Sequence, residues 1–412
     1  MAYPGSRQKR TTKVEFHNCL REWKDGVDTE RAQWVGQEIT RRRERLSNIL
    51  TGQDAVATDA IEALRLYLEM PVQELIDMAQ GESNARFYWL NIIGVEYTIR
   101  YDDAQFDRAS MMMKTALWLR QRGLVILADP ESVLWAAGVF DCIQEMDLPF
   151  RSPDLYVKDI RALSSQCSAE ALFLKVRENR EFLSPDSCLD TAILAAEKFQ
   201  ESTELINTQN KGGKKWKTFV HFKYHLCSAY ARTLQSLTFS QANRTKESVA
   251  SLLEGRDHME RAKEESEDFD RCDPESSVYL SKSEEFRRIE FLVEKRASEC
   301  EKDYNKSIDQ LPPMVQLLPL DTSSSTGTLD KRLFRLPAVQ VDTWLNSPEN
   351  ERTGRCSPCC APCTNCLQAA SSRLSLLPWR FAKWVVGKSN DEEEDEERRM
   401  IALADKPEYG SR

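Results

Sequence analysis

The sequence has few of the residues that interrupt helices. It contains 15 glycines and 16 prolines in 412 residues, and most of the prolines lie beyond residue 310. Scarce helix breakers followed by a proline-richer end predict a helical body with a disordered C-terminal tail. Long basic stretches are also missing, and the net charge is −9. This charge balance argues against a nucleic-acid binder, because such proteins need a basic surface to neutralise phosphates.

Targeting and membrane-spanning segments are absent from the sequence. The N-terminus is polar and has no apolar core of a signal peptide, and Ala2 excludes N-myristoylation. No apolar run reaches the about 20 residues that a spanning helix needs. We therefore expect a cytosolic or nuclear chain whose 12 cysteines stay reduced rather than forming a disulfide framework.

Motifs of enzyme active sites are missing as well. There is no Walker loop, no Gly-rich dinucleotide turn, no Gly-x-Ser-x-Gly and no His-Glu-x-x-His. His221 and His225 stand four residues apart and could align two metal ligands on a helix. The residues between them include no carboxylate that could act as a general base. The sequence predicts a protein without catalytic activity and without a metal or cofactor, and a metal-dependent hydrolase stays open as an alternative.

Apolar side chains recur at helical spacing from about residue 29 to residue 309. This pattern indicates roughly nine or ten helices, joined by connections short enough for antiparallel pairs. No clean repeat of about 34 residues occurs, so an irregular helical solenoid is favoured over a regular tetratricopeptide array. No strand alternation is convincing along this part of the chain. Beyond the first two helices the predicted segments are residues 87–100, 106–127, 130–146, 153–180, 185–206, 214–239, 246–269 and 286–308.

Four sequence elements occur in the order found in one known family. Lys215-Trp-Lys-Thr-Phe-Val-His-Phe-Lys223 matches the form K-W-x-x-F-x-H-x-K, and residues 247–263 follow as its partner helix. Upstream, Ala169-Glu-Ala-Leu-Phe-Leu-Lys-Val176 is similar to an A-Q-E-x-x-F-L-K-A helix, and Val133-Leu-Trp-Ala-Ala-Gly-Val-Phe140 to a K-x-A-A-G-x-F element. Together with a long closing helix, this set resembles the BRO-domain family over residues 30–345. The layout of one domain and a short tail is similar to that of its single-domain members.

The resemblance implies an all-α fold, a boomerang-shaped helical solenoid with a tetratricopeptide-like core. It leaves room for a few short strands in the N-terminal part. We expect three regions: an irregular segment over residues 1–28, a BRO-like helical domain over 29–345, and a tail over 346–412. The sequence departs from the family at Lys306-Ser-Ile308, where the family usually has F-I-Y. It also ends in Tyr409-Gly-Ser-Arg412, where single-domain members carry a prenylation box.

The resemblance also implies a function as a monomeric, non-enzymatic adaptor. Such domains bind the C-terminal helix of an ESCRT-III subunit, the charged multivesicular body protein of the Snf-seven type, and link it to a membrane or cargo in endosomal sorting or membrane remodelling. Apolar anchors of the ligand helix would fill an apolar concavity. A helical scaffold for other peptides, with no ESCRT role, is the alternative. Carried over to this sequence, the contact residues are Leu172, Phe173, Cys188, Leu189, Ala192 and Ile193, of which we expect Leu172, Cys188 and Ala192 to be exposed.

The tail has a dense cysteine cluster, with five cysteines in eleven residues. Three residues separate the pair Cys356/Cys359 from the pair Cys363/Cys366, which leaves no room for a zinc-ribbon turn. A compact metallothionein-like cluster is the alternative metal site. Residues 372–388 mix aromatic and basic side chains, as interfacial membrane segments do. Cysteines beside such a segment suit S-palmitoylation. We therefore predict lipidation at Cys356, Cys359, Cys360, Cys363 and Cys366, and membrane contact at Arg373, Trp379, Arg380, Phe381, Lys383, Trp384 and Lys388.

A second tail feature is an acidic run of seven carboxylates over residues 391–397. Ser389 precedes it and suits an acidophilic kinase, and a phosphate there would add repulsion against an anionic membrane. The alternative is a tail that is merely solubilising. Together with the acyl chains, which would substitute for the family's prenyl group, these features predict a cytoplasmic protein held at the surface of an endosomal or nuclear-envelope membrane.

Overall fold

The structure, a computed structural model, describes most of residues 9–344. The gaps are residues 10, 17–23, 25, 53–54, 80–86, 91–97, 102, 149–151, 179–184, 209–210, 273–279, 305–333 and 340–343. The predicted lipidation, membrane-contact and phosphorylation residues of the tail lie outside the described residues. The predicted division of the chain into three regions stays a prediction.

The described residues form ten α-helices, in agreement with the helical fold that the sequence predicts. Three short turns interrupt them, a π-helical turn at Arg122–Leu127 and 3-10 turns at Pro153–Leu155 and Leu280–Lys282. Within these residues, no helix combines the length and the apolar character needed to cross a bilayer. The helices are α1 (Thr29–Thr51), α2 (Ala57–Leu68), α3 (Val72–Met78), α4 (Ala104–Gln121), α5 (Pro130–Glu145), α6 (Val157–Glu178), α7 (Pro185–Leu205), α8 (Lys211–Gln241), α9 (Thr245–Cys272) and α10 (Glu284–Tyr304).

Aspartate side chains fix the starts of several helices. Asp28 accepts a hydrogen bond from the backbone N–H of Arg31 at the start of α1. Asp103 caps α4 in the same way. Asp129 caps α5, where Pro130 occupies the first helical turn. Because an acceptor side chain satisfies backbone donors that have no partner within the helix, these residues set the helix boundaries.

Neighbouring helices in the sequence are also neighbours in space. From α5 to α9, each helix packs mainly against the helix before it and the helix after it. The closing helix α10 packs against α8 and α9. A continuous apolar core runs through these interfaces. The inner helices α6, α7 and α8 are therefore covered on two faces each, which decides what they can present to a partner.

The segment predicted as helical over residues 87–100 is a β-hairpin instead. Strand β1 (Phe87–Leu90) pairs antiparallel with β2 (Thr98–Tyr101), with Phe87 opposite Tyr101. Phe87 and Trp89 are buried, whereas Tyr88 and Leu90 are half-buried, so burial alternates with the period of two that a strand requires. Aromatic residues also favour strands. The helical prediction was wrong here, and the expectation of short strands in the N-terminal part is confirmed.

A buried polar cluster joins this hairpin to the helices. The Asp107 carboxylate of α4 accepts hydrogen bonds from the Arg43 guanidinium at 2.9 and 3.1 Å, from Trp89 Nε1 at 2.8 Å and from the Tyr67 hydroxyl. Burial, reinforced by the nearby Asp107, raises the pKa of Tyr67 well above its ordinary value. Each buried charge of the cluster has a partner, which offsets the cost of removing it from water, so removing one partner would leave the other charge buried and uncompensated.

The chain returns to α1 before the tail begins. The Trp344 ring stacks on Trp34 of α1 with 5.3 Å between ring centroids, and the Arg42 guanidinium lies over the Trp344 ring. Upstream of Trp344, Phe334 is buried beneath the Arg65 guanidinium. The start of the tail is thus anchored to the N-terminal helices.

Candidate functional site

The predicted contact residues lie on two inner helices. Leu172 and Phe173 belong to α6, which packs between α5 and α7, and the other four belong to α7, which packs between α6 and α8. Leu172 is 6% exposed, Cys188 2% and Ala192 0%. The predicted exposure of these three residues was therefore wrong. Their apolar stripes fill the interfaces between the helices, so they are covered by the protein's own neighbouring elements.

The other three predicted residues differ in accessibility. Ile193 is buried, whereas Leu189 is only half-buried and packs at the edge of the core. Phe173 is mostly buried, and its ring contacts the Tyr230 ring of α8 edge-on, with 6.1 Å between centroids. Phe173 also borders a surface depression, so part of its ring faces outward.

This depression lies where α6, α8 and α10 meet, and we call it the Phe173 groove. Its free volume is about 30 Å³, more than the about 10–15 Å³ that one water molecule needs, so it admits the tip of one side chain. Apolar residues from all three helices line it, with charged residues beside them. The lining residues are Phe173, Arg177, Tyr230, Glu285, Arg288, Ile289 and Leu292.

The charges around the groove do not cancel. Glu285 forms an ion pair with Lys223 of α8, which lies beneath it. Although burial favours the neutral carboxyl, this pair holds the pKa of Glu285 below its ordinary value, and Arg177 acts in the same direction. The negative charge of Glu285 is thus neutralised. Arg288 is exposed and has no ion-pair partner among the residues that the structure describes. The groove is therefore apolar at its floor and positive at its rim.

Sequence reasoning missed the residues that α8 and α10 contribute. Tyr230, Ile289 and Leu292 lie in the predicted helices 214–239 and 286–308, and the apolar stripe of an amphipathic helix is normally assigned to the core. Their position beside Phe173 depends on how α10 packs against α8. A local sequence pattern does not encode the packing between two helices. A signal was present in Arg288, a charged residue on the same face as Ile289 and Leu292, because a face that is fully buried seldom carries an arginine.

The three histidines that the structure describes, His221, His225 and His258, pair with other side chains. His221 Nδ1 lies 3.1 Å from Glu265 Oε1, and His225 Nδ1 lies 3.0 Å from His258 Nδ1 of α9. Burial, followed by the neighbouring histidines and Arg261, lowers the pKa of His225 to about 3. Both rings of the His225–His258 pair are neutral at neutral pH, since burial and nearby arginines lower the pKa of His258 to about 4. Over the described part of the chain, no three side chains of ligand type converge on a point where a metal ion could sit.

Comparison with known proteins gives the fold. No family model matches the sequence. The sequence is similar to the human BRO1 domain-containing protein BROX, with 23% identity over 294 residues, 65% of this chain and 70% of BROX. The fold is similar to that of an ALIX BRO1–CHMP4C complex (TM-score 0.54, 14% identity, 80% of this chain and 97% of that one). It is also similar to that of a Bro1 domain solved as the basis for endosomal targeting (TM-score 0.54, 17% identity, 82% and 93%). The predicted resemblance to BRO domains and the predicted all-α fold are confirmed.

Proposed function

We propose that this chain, which has the fold of a BRO domain, is a non-enzymatic adaptor for an ESCRT-III subunit. Its ligand would be the C-terminal helix of a charged multivesicular body protein of the CHMP4, or Snf-seven, type. The observation that carries the proposal is the Phe173 groove, with its apolar floor and positive rim. In the related fold of ALIX, the solved complex contains CHMP4C.

The geometry suggests how a helix would bind. The groove is too small for a whole helix, so the ligand helix would lie across it and insert one apolar side chain against Phe173 and Leu292. Acidic residues on either side of that anchor would face Arg177 and Arg288. Half-buried Leu189 is the predicted contact residue with the most accessible side chain. Leu172, Cys188, Ala192 and Ile193 would act indirectly, by holding α6 and α7 in place.

The adaptor role also needs a link to a membrane, which we assign to the tail. Acyl chains on the cysteine cluster would combine with the basic and aromatic residues of 372–388, because one chain alone binds a membrane only marginally. The protein would then work as a monomer on the cytoplasmic face of an endosomal or nuclear-envelope membrane. The similarity in fold to a Bro1 domain that serves endosomal targeting supports this assignment.

Isothermal titration of the full chain with a synthetic CHMP4-type C-terminal helix tests the proposal. We expect binding, and we expect Arg288→Glu to weaken it at least about tenfold, or about 1.4 kcal/mol, because a repelling charge replaces an attracting one. Lys158→Glu is the matched control, since Lys158 is exposed on α6 about 22 Å along the helix from Phe173. Absence of binding, with a native circular dichroism spectrum, would leave a scaffold for other peptides.

A further inference from the structure

The Phe173 groove continues into an exposed surface on α10. Phe291 is 66% exposed, the largest exposed fraction among the large apolar side chains that the structure describes. Arg287 and Arg288 lie one turn before it and Lys295 one turn after it, so helical spacing puts all four on one face. None of these three cations has an ion-pair partner among the described residues, and Glu294 on the same face is paired with Arg256. We call the Phe173 groove together with Arg287, Phe291 and Lys295 the α10 surface.

Exposed Glu284 lies on this face two turns before Phe291, so the surface combines a water-exposed phenylalanine with a modest excess of positive charge. Such a surface suits an acidic partner with apolar anchors. This sequence contains such a segment. The seven carboxylates of residues 391–397 are followed by Arg398 and Arg399 and then by Met400, Ile401 and Leu403, so the segment keeps a net charge of −5. Met400 and Leu403 are three positions apart, the spacing at which two anchors share one face of a helix. Charge and apolar character are thus complementary between this segment and the α10 surface.

The tether between the two is long enough. Trp344 is fixed on α1, and 47 positions separate it from Asp391. When the tail is not held at a membrane, a flexible chain of that length has a root-mean-square span of about 40 Å, comparable to the diameter of a domain of this size. Tethering at this length gives a local concentration in the millimolar range, so even a weak contact would be well populated.

We propose that residues 391–404 bind the α10 surface of their own chain. The acidic run would face Arg287, Arg288 and Lys295, and an apolar anchor would cover Phe291 and the mouth of the groove. The segment would therefore compete with an ESCRT-III helix. This competition rests on the proposed function, whereas the contact between tail and surface does not.

The contact is tested with a labelled peptide of residues 388–405, titrated by fluorescence anisotropy into the full-length protein. In one form of the protein, Asp391 and Asp395 are changed to Asn and the five glutamates of the run to Gln, so that its own tail no longer competes. We expect this neutralised form to bind the peptide at least fivefold more tightly than the wild type. Adding Arg288→Glu and Phe291→Ser should weaken binding at least tenfold, whereas adding Lys158→Glu should not. Both altered residues are exposed, and thermal melts check that the fold is kept.

Raising the salt concentration should weaken the tail peptide's binding, because exposed ion pairs are screened. The inference is overturned if the peptide does not bind, if the surface variants bind it as well as the neutralised form does, or if wild-type and neutralised chains bind it equally.

A parallel titration with the ESCRT-III helix separates the two proposals. If both hold, the neutralised chain binds that helix at least fivefold more tightly than the wild type. Binding of the tail peptide without binding of the helix overturns the proposed function and leaves the inference standing. If both chains bind the helix equally and neither binds the tail peptide, the inference is overturned and the proposed function stands.

Discussion

At the scale of single residues, Asp159 shows how the fold tolerates an unfavourable charge. Its side chain is 4% exposed, and Oδ1 has no hydrogen-bond partner among the described residues. Burial, together with nearby Asp154, raises the pKa of Asp159 to about 6, although a backbone hydrogen bond from Asn207 opposes the shift. The charged carboxylate is therefore less stable in the folded protein than in the unfolded chain. Folding stability falls as the pH rises from about 4 to about 6 and stays lower above that range.

We expect Asp159→Asn to stabilise the protein at pH 7.5 by on the order of 1 kcal/mol. One pKa unit corresponds to about 1.4 kcal/mol, and the expected gain is smaller than the full shift because nearby solvent screens the charge. Asparagine keeps an oxygen that can accept the hydrogen bond from Asn207. Urea unfolding at pH 7.5 and pH 4 measures the effect. The gain should vanish at pH 4, and a variant that is less stable than wild type at pH 7.5 would refute the explanation.

At the scale of helices and strands, much of the structure could be predicted from local sequence. The segment 130–146 was predicted as a helix and α5 spans Pro130–Glu145, because Asp129 and Pro130 mark its start chemically. The hairpin was missed, since strands of four residues alternate too briefly to outweigh a helical pattern. The exposure of Leu172, Cys188 and Ala192 was wrong for a different reason. The sequence pattern of an apolar helix face is the same whether a neighbouring helix of the fold or a partner protein covers that face.

Leu172 and Leu292 give a test of this distinction. We expect Leu172→Asp to destabilise the domain by more than about 3 kcal/mol, because a charge would be buried between packed helices. Leu292→Asp should cost less stability, since Leu292 is half-buried, and should weaken binding of the ESCRT-III helix instead. Thermal unfolding and the helix titration measure both effects. If the Leu172→Asp variant keeps its native stability and loses only binding, Leu172 is an exposed contact residue, as the sequence predicted.

At the scale of the whole molecule, the helical domain and the tail divide the proposed function. The domain would recognise the ESCRT-III helix, and the tail would supply the membrane link and a competing ligand for the α10 surface. The fold could be predicted because several elements occur in the family's order. The site could be predicted only in part, because Phe173 acquires its surroundings from α8 and α10, which are distant in the sequence.

The membrane link predicts a change in distribution. Changing Cys356, Cys359, Cys360, Cys363 and Cys366 together to serine should release the protein from membranes into the cytosol, because the basic and aromatic residues alone bind weakly. Fractionation of cells measures this, and the circular dichroism spectrum should not change. Membrane association that survives the change would rule acylation out. Stoichiometric zinc in the wild type that the change removes would favour a metal cluster instead.

The central claim, that the Phe173 groove receives an ESCRT-III helix, is tested most directly by site-specific photo-crosslinking. A CHMP4-type C-terminal helix that carries a photoreactive group at its apolar anchor is irradiated with the full-length protein, and mass spectrometry locates the adducts. We predict adducts on residues 285–292 of α10 and on Phe173–Arg177 of α6, and their loss in Arg288→Glu. Adducts concentrated on α1 or α2, unchanged by Arg288→Glu, would contradict the claim.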